Sequence, residues 1–233
     1  MSGVVEVRNL RKIYPMGEDE VVALGGVDLS IEKGEFIAVM GPSGSGKSTF
    51  MQIVGMLDRA TSGSYSFEGR DVATLSDDER ADVRSRRLGF VFQSYNLLPR
   101  TTALENVELP MVYAGVPAAR RLDIAMEKMD IVGIKPLADH MPNQMSGGQQ
   151  QRIAIARSLV NDPALILADE PTGALDTKTS RDVMRIFSEL NAARNITIML
   201  VTHEPDIAAF AKRIVTFRDG HILSDIPNLE RAA

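Results

Sequence analysis

Four uninterrupted apolar runs, "FIAVM" (36–40), "LGFVF" (88–92), "LILA" (165–168) and "ITIMLV" (196–201), constrain this chain more than any other feature. A strand with one wet face alternates apolar and polar residues. A run without alternation suits a strand buried on both faces, as in a parallel sheet covered by helices. Each run also stops at a polar group of chemical use. "FIAVM" leads into "GPSGSGKST", "LGFVF" ends at Gln93, "LILA" at Asp169 and Glu170, and "ITIMLVT" at His203. Ligands of open parallel α/β sheets bind beyond the carboxyl ends of the strands. The four runs therefore aim their terminal side chains at one crevice.

Around these runs the pattern reads as an α/β chain with an insert. "VVEVRNL" and "VVALGGVDLSI" alternate as strands within residues 4–31, and "GSYSFEG" adds another between turn glycines, together an antiparallel N-terminal β-subdomain. From Gln93 to about Pro163 the pattern turns helical, punctuated by Pro99, Pro110, Pro117, Pro136 and Pro142. The expectation is one domain over 1–233, with a core of about 1–93 and 163–233 and a helical subdomain of about 94–162. A net charge of -5 argues against nucleic acid as the main partner. Absence of cysteine suits the cytoplasm. Glu6 and Arg8 interrupt any apolar leader, and no run is long enough to span a bilayer. "DDERADVRSRR" (77–87) reads as a solvated helix face, and the twelve methionines as core filler.

"GPSGSGKS" fits G-x-x-x-x-G-K-[ST], set between a strand and a helix. Gly41, Gly44 and Gly46, with Ser43 and Ser45 between them, let backbone N–H groups converge on phosphate oxygens, and the helix N-terminus adds its positive end. Lys47 is placed to reach β- and γ-phosphates, the Ser48 hydroxyl to bind Mg²⁺, and Thr49 to support the α-phosphate side. Asp169 is placed to hold the metal through its water shell, and Glu170 to polarise a water for attack on the γ-phosphate. His203 suits a γ-phosphate contact. Gln93 suits either a Mg²⁺ ligand or a residue that orients the water.

These residues, in this order, resemble the nucleotide-binding subunit of the ATP-binding cassette (ABC) family over nearly the whole chain. "GPSGSGKST" is similar to the family's Walker A, Gln93 to its Q-loop, "LILADE" to its Walker B, "GALD" (173–176) with Asp176 to its D-loop, and His203 to its switch histidine. "MSGGQ" (145–149) is similar to the signature sequence, with Met145 for the usual leucine, and Gly173 replaces the usual D-loop serine. Tyr14 falls where the family places an aromatic ring on adenine, although a tyrosine there suits simple packing equally. Longer stretches are similar to the macrolide-exporter (MacB) and lipoprotein-releasing (LolD) group. That resemblance implies an ATPase using ATP and Mg²⁺, peripheral on the cytoplasmic face of a membrane, and working with a separate permease and an extracytoplasmic adaptor. A regulatory cassette of a cell-division complex, or a soluble non-transport ATPase, shares the same motifs.

The resemblance also explains why "MSGGQQQRIAIARS" looks like a second phosphate site without a lysine. In the family, Ser146, Gly147, Gly148 and Gln149 of one subunit close over the nucleotide held by the other, whose own Lys47 neutralises the phosphate. Two copies bound to ATP then form a dimer. Residues 94–113, "SYNLLPRTTALENVELPMVY", offer two readings. If exposed, Tyr95, Leu97 and Leu98 form an apolar groove for a permease helix; otherwise they pack the helical lobe.

Overall fold

The computed structural model describes residues 3–17 and 19–229. Residues 1–2, 18 and 230–233, including both ends of the expected domain, lie outside the described residues. An antiparallel sheet is built from β1 (Val5–Met16), β2 (Asp19–Ile31), β4 (Ser62–Phe67) and the short β5 (Arg70–Asp71), in the order β2-β1-β4-β5. The six-stranded sheet has the order β10-β9-β3-β8-β7-β6. Its strands are β3 (Phe36–Met40), β6 (Leu88–Phe92), β7 (Leu165–Asp169), β8 (Thr197–Val201), β9 (Arg213–Arg218) and β10 (His221–Pro227). All pair in parallel except β10, which runs antiparallel to β9. The four apolar runs are four of these strands. The β9–β10 hairpin was not visible as strands in the sequence, because neither strand is a continuous apolar run.

Alternation within the apolar runs sorts them onto two cores. Ile37, Val39, Leu165, Leu167, Met199 and Val201 face one way, packed with helix α1 (Lys47–Val54) and the antiparallel sheet. Phe36, Ala38, Ile166, Ala168, Ile198 and Leu200 face the other way. There they pack with α3 (Ala103–Tyr113), α4 (Ala118–Ile131), α5 (Gly147–Leu159) and α6 (Thr177–Arg194). Both faces are apolar because both are buried; Thr197 is the one polar residue in the runs, and its Oγ1 accepts from Gly34 N–H at 3.1 Å. Each fully buried Leu, Ile or Phe contributes roughly 1.5–3 kcal/mol relative to exposure. Two further helices, α2 (Asp77–Arg87) and α7 (Pro205–Ala208), complete the chain. Among the described residues, no helix is long and apolar enough to cross a membrane.

Caps fix where the helices begin. Ser76, Thr102 and Ser146 form capping boxes with Glu79, Glu105 and Gln149, and Asp176 caps α6 through the amides of Lys178 and Thr179. Pro110 does not break its helix, contrary to the sequence pattern. It sits inside α3, and its own carbonyl accepts from Ala114 N–H at 3.0 Å and the Asn161 amide at 3.3 Å.

Asn106, fully buried in α3, ties down the loop between Gln93 and that helix. Its Oδ1 accepts from Leu98 N–H at 2.7 Å, and its Nδ2 donates to Thr101 Oγ1 at 2.8 Å and the Thr102 carbonyl at 2.9 Å. Asn106→Leu leaves the Leu98 N–H without its partner, so unfolding stability should fall by about 1–3 kcal/mol. Urea denaturation measures this; an unchanged midpoint would show that the loop is held by other contacts.

Candidate active site at the strand ends

β3 ends at Met40, and the chain turns through Gly41–Gly46 into α1. The turn needs glycine at two points. Gly41 has φ +145°, and a Cβ there would lie 2.2 Å from the Phe217 carbonyl oxygen. Gly46 has φ +100°, and a Cβ there would lie 2.6 Å from the Ala23 carbonyl oxygen. A backbone strap presses on the loop from outside: Gly220 N–H donates to the Ser45 carbonyl at 3.1 Å, and Gly25 N–H to the Gly220 carbonyl at 2.9 Å. Gly46 supplies no side-chain cap for α1, unlike Ser146 or Asp176 for their helices. The first amides of α1 are thus left for a ligand. The Ser45 hydroxyl is buried without a hydrogen-bond partner.

The four strand ends converge. Lys47 is nearly buried and donates from Nζ to the Gly41 and Pro42 carbonyls, both at 2.8 Å. Burial lowers its pKa, while the charges of Glu170 and Asp169 raise it. Burial raises the Asp169 pKa, the adjacent Glu170 charge adds to that, and Lys47 opposes it. Two neighbouring carboxylates therefore face a single ammonium, which favours additional positive charge at this point. Glu170 sits at φ +44°, a left-handed conformation costly for a residue with a Cβ. The turn is held by Glu170 N–H donating to the Val201 carbonyl at 2.9 Å. Its Oε1 lies 2.8 Å from His203 Nδ1.

Gln93, at the end of β6, lies over Gly173: a Cβ there would meet Gln93 Nε2 at 2.6 Å. The glycine in place of a D-loop serine thus makes room for the Gln93 amide. Ser43 and Ser48 are exposed on the loop and first turn. Tyr14 comes to the same end of the molecule from the antiparallel sheet, its hydroxyl donating to Asp58 Oδ2 at 2.7 Å. Lys12 Nζ sits 4.6 Å from the ring centroid. Asp58 was missed in the sequence. It stands 44 positions from Tyr14, and only the pairing of β1 with its neighbours brings them together.

Ser146, Gly147, Gly148 and Gln149 are gathered elsewhere. A Cβ at Gly147 would lie 2.6 Å from the Tyr95 hydroxyl, and one at Gly148 would lie 2.4 Å from Thr179 Cγ2. The start of α5 is therefore wedged against the Tyr95 loop and α6. Asp176 caps the same α6 and bonds Thr179 Oγ1 at 2.6 Å. The helix packs on β6, and β6 lies three strands from β3, about 14 Å at ordinary strand spacing. Among the described residues, no hydrogen bond joins Ser146–Gln149 to Gly41–Thr49.

Comparison with known proteins places the chain among cassettes of this kind. The family profile described as ABC transporter matches residues 24–173. The "Uncharacterized ABC transporter ATP-binding protein YknY" of Bacillus subtilis is 52% identical over 220 residues, 94% of this chain and 95% of YknY. The "Pyoverdine export ATP-binding/permease protein PvdT" of Pseudomonas aeruginosa is 51% identical over 99% of this chain, but the match spans only 35% of PvdT. A solved dimer of "the ATP-binding cassette MJ0796 bound to ADP and Pi", in a post-hydrolysis state, superposes with a TM-score of 0.88 at 43% identity. That match covers 96% of this chain and 98% of MJ0796.

Gly46→Ala tests the loop directly. The backbone strain costs about 1–3 kcal/mol, and the displaced loop should no longer hold ATP. Nucleotide at a hundred times its Kd stabilises a folded protein by about 2.7 kcal/mol. Thermal melts should show an ATP-dependent rise in Tm for the parent and none for Gly46→Ala. An equal rise in both would place the nucleotide elsewhere.

Proposed function

The chain belongs to the ABC transporter family, and from that premise we propose that it is the ATP-hydrolysing subunit of a membrane transporter, working as an ATP-dependent dimer. The observation that carries this is the convergence of Lys47, Asp169, Glu170 and His203 at the carboxyl ends of adjacent strands beside a glycine loop. Gly41, Ser43, Gly44, Ser45, Gly46, Lys47, Ser48 and Thr49 would cradle the phosphates, with Lys47 turning from its two loop carbonyls to the β- and γ-phosphates. Tyr14, already oriented by Asp58, would meet the base.

Mg²⁺ fits the oxygen donors Ser48, Gln93 and, through water, Asp169, because it takes few protein ligands and relies on substrate phosphates. Among the described residues no cluster of three or more His, Cys, Asp or Glu forms a metal cage. Bound there, the ion would neutralise phosphate charge. Glu170 accepts the proton of the attacking water as the new oxygen–γ-phosphorus bond forms. The bond from γ-phosphorus to the ADP oxygen breaks, releasing ADP and phosphate. His203, 2.8 Å from Glu170 Oε1, orients that carboxylate and can reach the γ-phosphate.

The signature residues serve the partner's nucleotide on this reading. Ser146 with the amides near Gly147 and Gly148, Gln149 and the α5 dipole would complete a site whose lysine belongs to the second copy. Asp176 would lie at the same dimer interface. Residues 94–162 would move as a helical subdomain against the core.

For the permease, the structure divides the stretch 94–113. Leu97 packs against the helical core and Tyr95 turns its hydroxyl toward Gly147, while Leu98 is exposed. An apolar groove of about 710 Å³, partly built from the same stretch, runs along β6 and α3 and is lined by Leu57, Phe90, Phe92, Leu109, Pro110 and Tyr113. Tyr113 is 76% exposed and Leu57 52%. We assign this groove to a cytoplasmic helix of the permease, which would hold the chain on the inner face of the membrane. An extracytoplasmic adaptor would complete the assembly.

Two experiments follow. Glu170→Gln should cut ATP turnover by roughly 10²–10⁴-fold while trapping a dimer with ATP and Mg²⁺. Light scattering after size exclusion measures this, and a mutant still monomeric at saturating ATP would contradict it. Tyr113→Asp should leave basal hydrolysis of the isolated subunit intact but abolish recovery of an integral-membrane partner from detergent-solubilised membranes. Undiminished recovery would move the permease contact off this groove.

A further inference from the structure

We propose that the cavity between α2 and the antiparallel sheet is a binding site for a phosphate-sized anion, centred on Arg80. The cavity holds about 250 Å³ and is lined by Leu10, Ile53, Tyr65 and Val72 together with Arg59 and Arg80. α2 is otherwise the solvated helix its composition suggests, but Arg80 is only 7% exposed. Guanidinium groups this deep are ordinarily paired with a carboxylate. Arg80 has none: among the described residues it makes no ion pair, one NH₂ group donates to the neutral Asp58 carbonyl at 3.1 Å, and Nε is buried without a partner.

The nearby acids are already engaged. The Asp58 carboxylate accepts from Lys12 at 2.8 Å and from Tyr14 at 2.7 Å, and Asp77 is bonded by Arg59. Burial depresses the Arg80 pKa, the neighbouring charges of Arg59 and Arg84 depress it further, and Asp77 opposes them. Arg59 and Arg80 both line the cavity, and Asp77, the acid beside them, is already bonded by Arg59, so the Arg80 charge is left without a counter-ion that a bound anion would supply. Guanidinium N–H groups in fork geometry suit phosphate oxygens better than a single charge does. The Tyr65 hydroxyl donates to the Val54 carbonyl at 2.7 Å, so it is not available to compete. The site is distinct from the nucleotide loop but touches it indirectly. Asp58 bonds Arg80 through its carbonyl and Tyr14 through its carboxylate, so an occupied cavity would stiffen the segment that holds Tyr14.

Isothermal titration of the full chain, kept saturated with ADP and Mg²⁺, tests this with two probes: inorganic phosphate and glycerol phosphate. One site per chain is expected, lost in Arg80→Met, which keeps the side-chain volume, and weakened about tenfold or more in Arg59→Gln, which removes a charge-assisted contact. Binding of inorganic phosphate alone would identify a free ion as the ligand, and binding of both a phosphomonoester. Heat that persists equally in Arg80→Met belongs to the nucleotide loop and overturns the proposal, as does the absence of binding by either probe. If Arg80→Met does not fold, the exposed Arg59→Gln and the charge-keeping Arg80→Lys decide it: unchanged phosphate affinity in both overturns the site.

Discussion

A strand buried on both faces has no room for an unpaired polar side chain along its length, because such a group costs several kcal/mol. β3, β6, β7 and β8 all meet this constraint, with Ile37, Leu165 and Met199 on one core and Phe36, Ile166 and Ile198 on the other. Chemistry is displaced to where the strands stop. Since these strands are parallel, they stop on one side, and Lys47, Gln93, Asp169, Glu170 and His203 are delivered together. The two cores therefore do more than stabilise the sheet; they hold the five candidate site residues at the ends of four strands.

That arrangement leaves charge to be balanced. Asp169 and Glu170 share one short stretch of backbone, and Lys47 is their nearest counter-charge, held in reserve on the Gly41 and Pro42 carbonyls. Nucleotide phosphates with a divalent ion would release Lys47 from those carbonyls and supply the missing cation beside Asp169. On the proposed reading one chain is incomplete. The amino end of α5 is fixed on Tyr95 and Thr179, three strands away from its own loop. It would take a nucleotide from elsewhere, and the dimeric post-hydrolysis cassette MJ0796 is the kind of assembly that would provide one.

Much of this was legible in sequence because it is local. The apolar runs, the glycine loop and the polar residues at each strand end are read within a few positions. The capping box at Ser146 likewise depends on the next three residues. What escaped was long-range or depended on burial. Asp58 reaches Tyr14, Gly220 braces Ser45, and Arg157 holds the Tyr95 and Asn96 carbonyls at 2.8 and 2.6 Å across more than sixty positions. No spacing announces such contacts. Arg80 was hidden differently, as one buried charge inside a helix whose composition is that of a solvated face. Within 94–113 the same limit applies: Leu97 packs inward while Leu98 and Tyr113 are exposed, and only packing decides which apolar residue is which.

The central claim is that Ser146 serves the nucleotide bound by the other copy, and a mixed dimer tests it most directly. Both subunits carry Glu170→Gln to preserve ATP; one adds Lys47→Ala and the other Ser146→Arg, with separate tags for purification. If the signature acts across the interface, both lesions fall on one composite site, and about one occluded ATP per dimer is expected. Placing both lesions on a single subunit should then damage both sites and lose the ATP. The reverse pattern, no ATP in the first dimer and about one in the second, would show that each chain completes its own site and would contradict the claim.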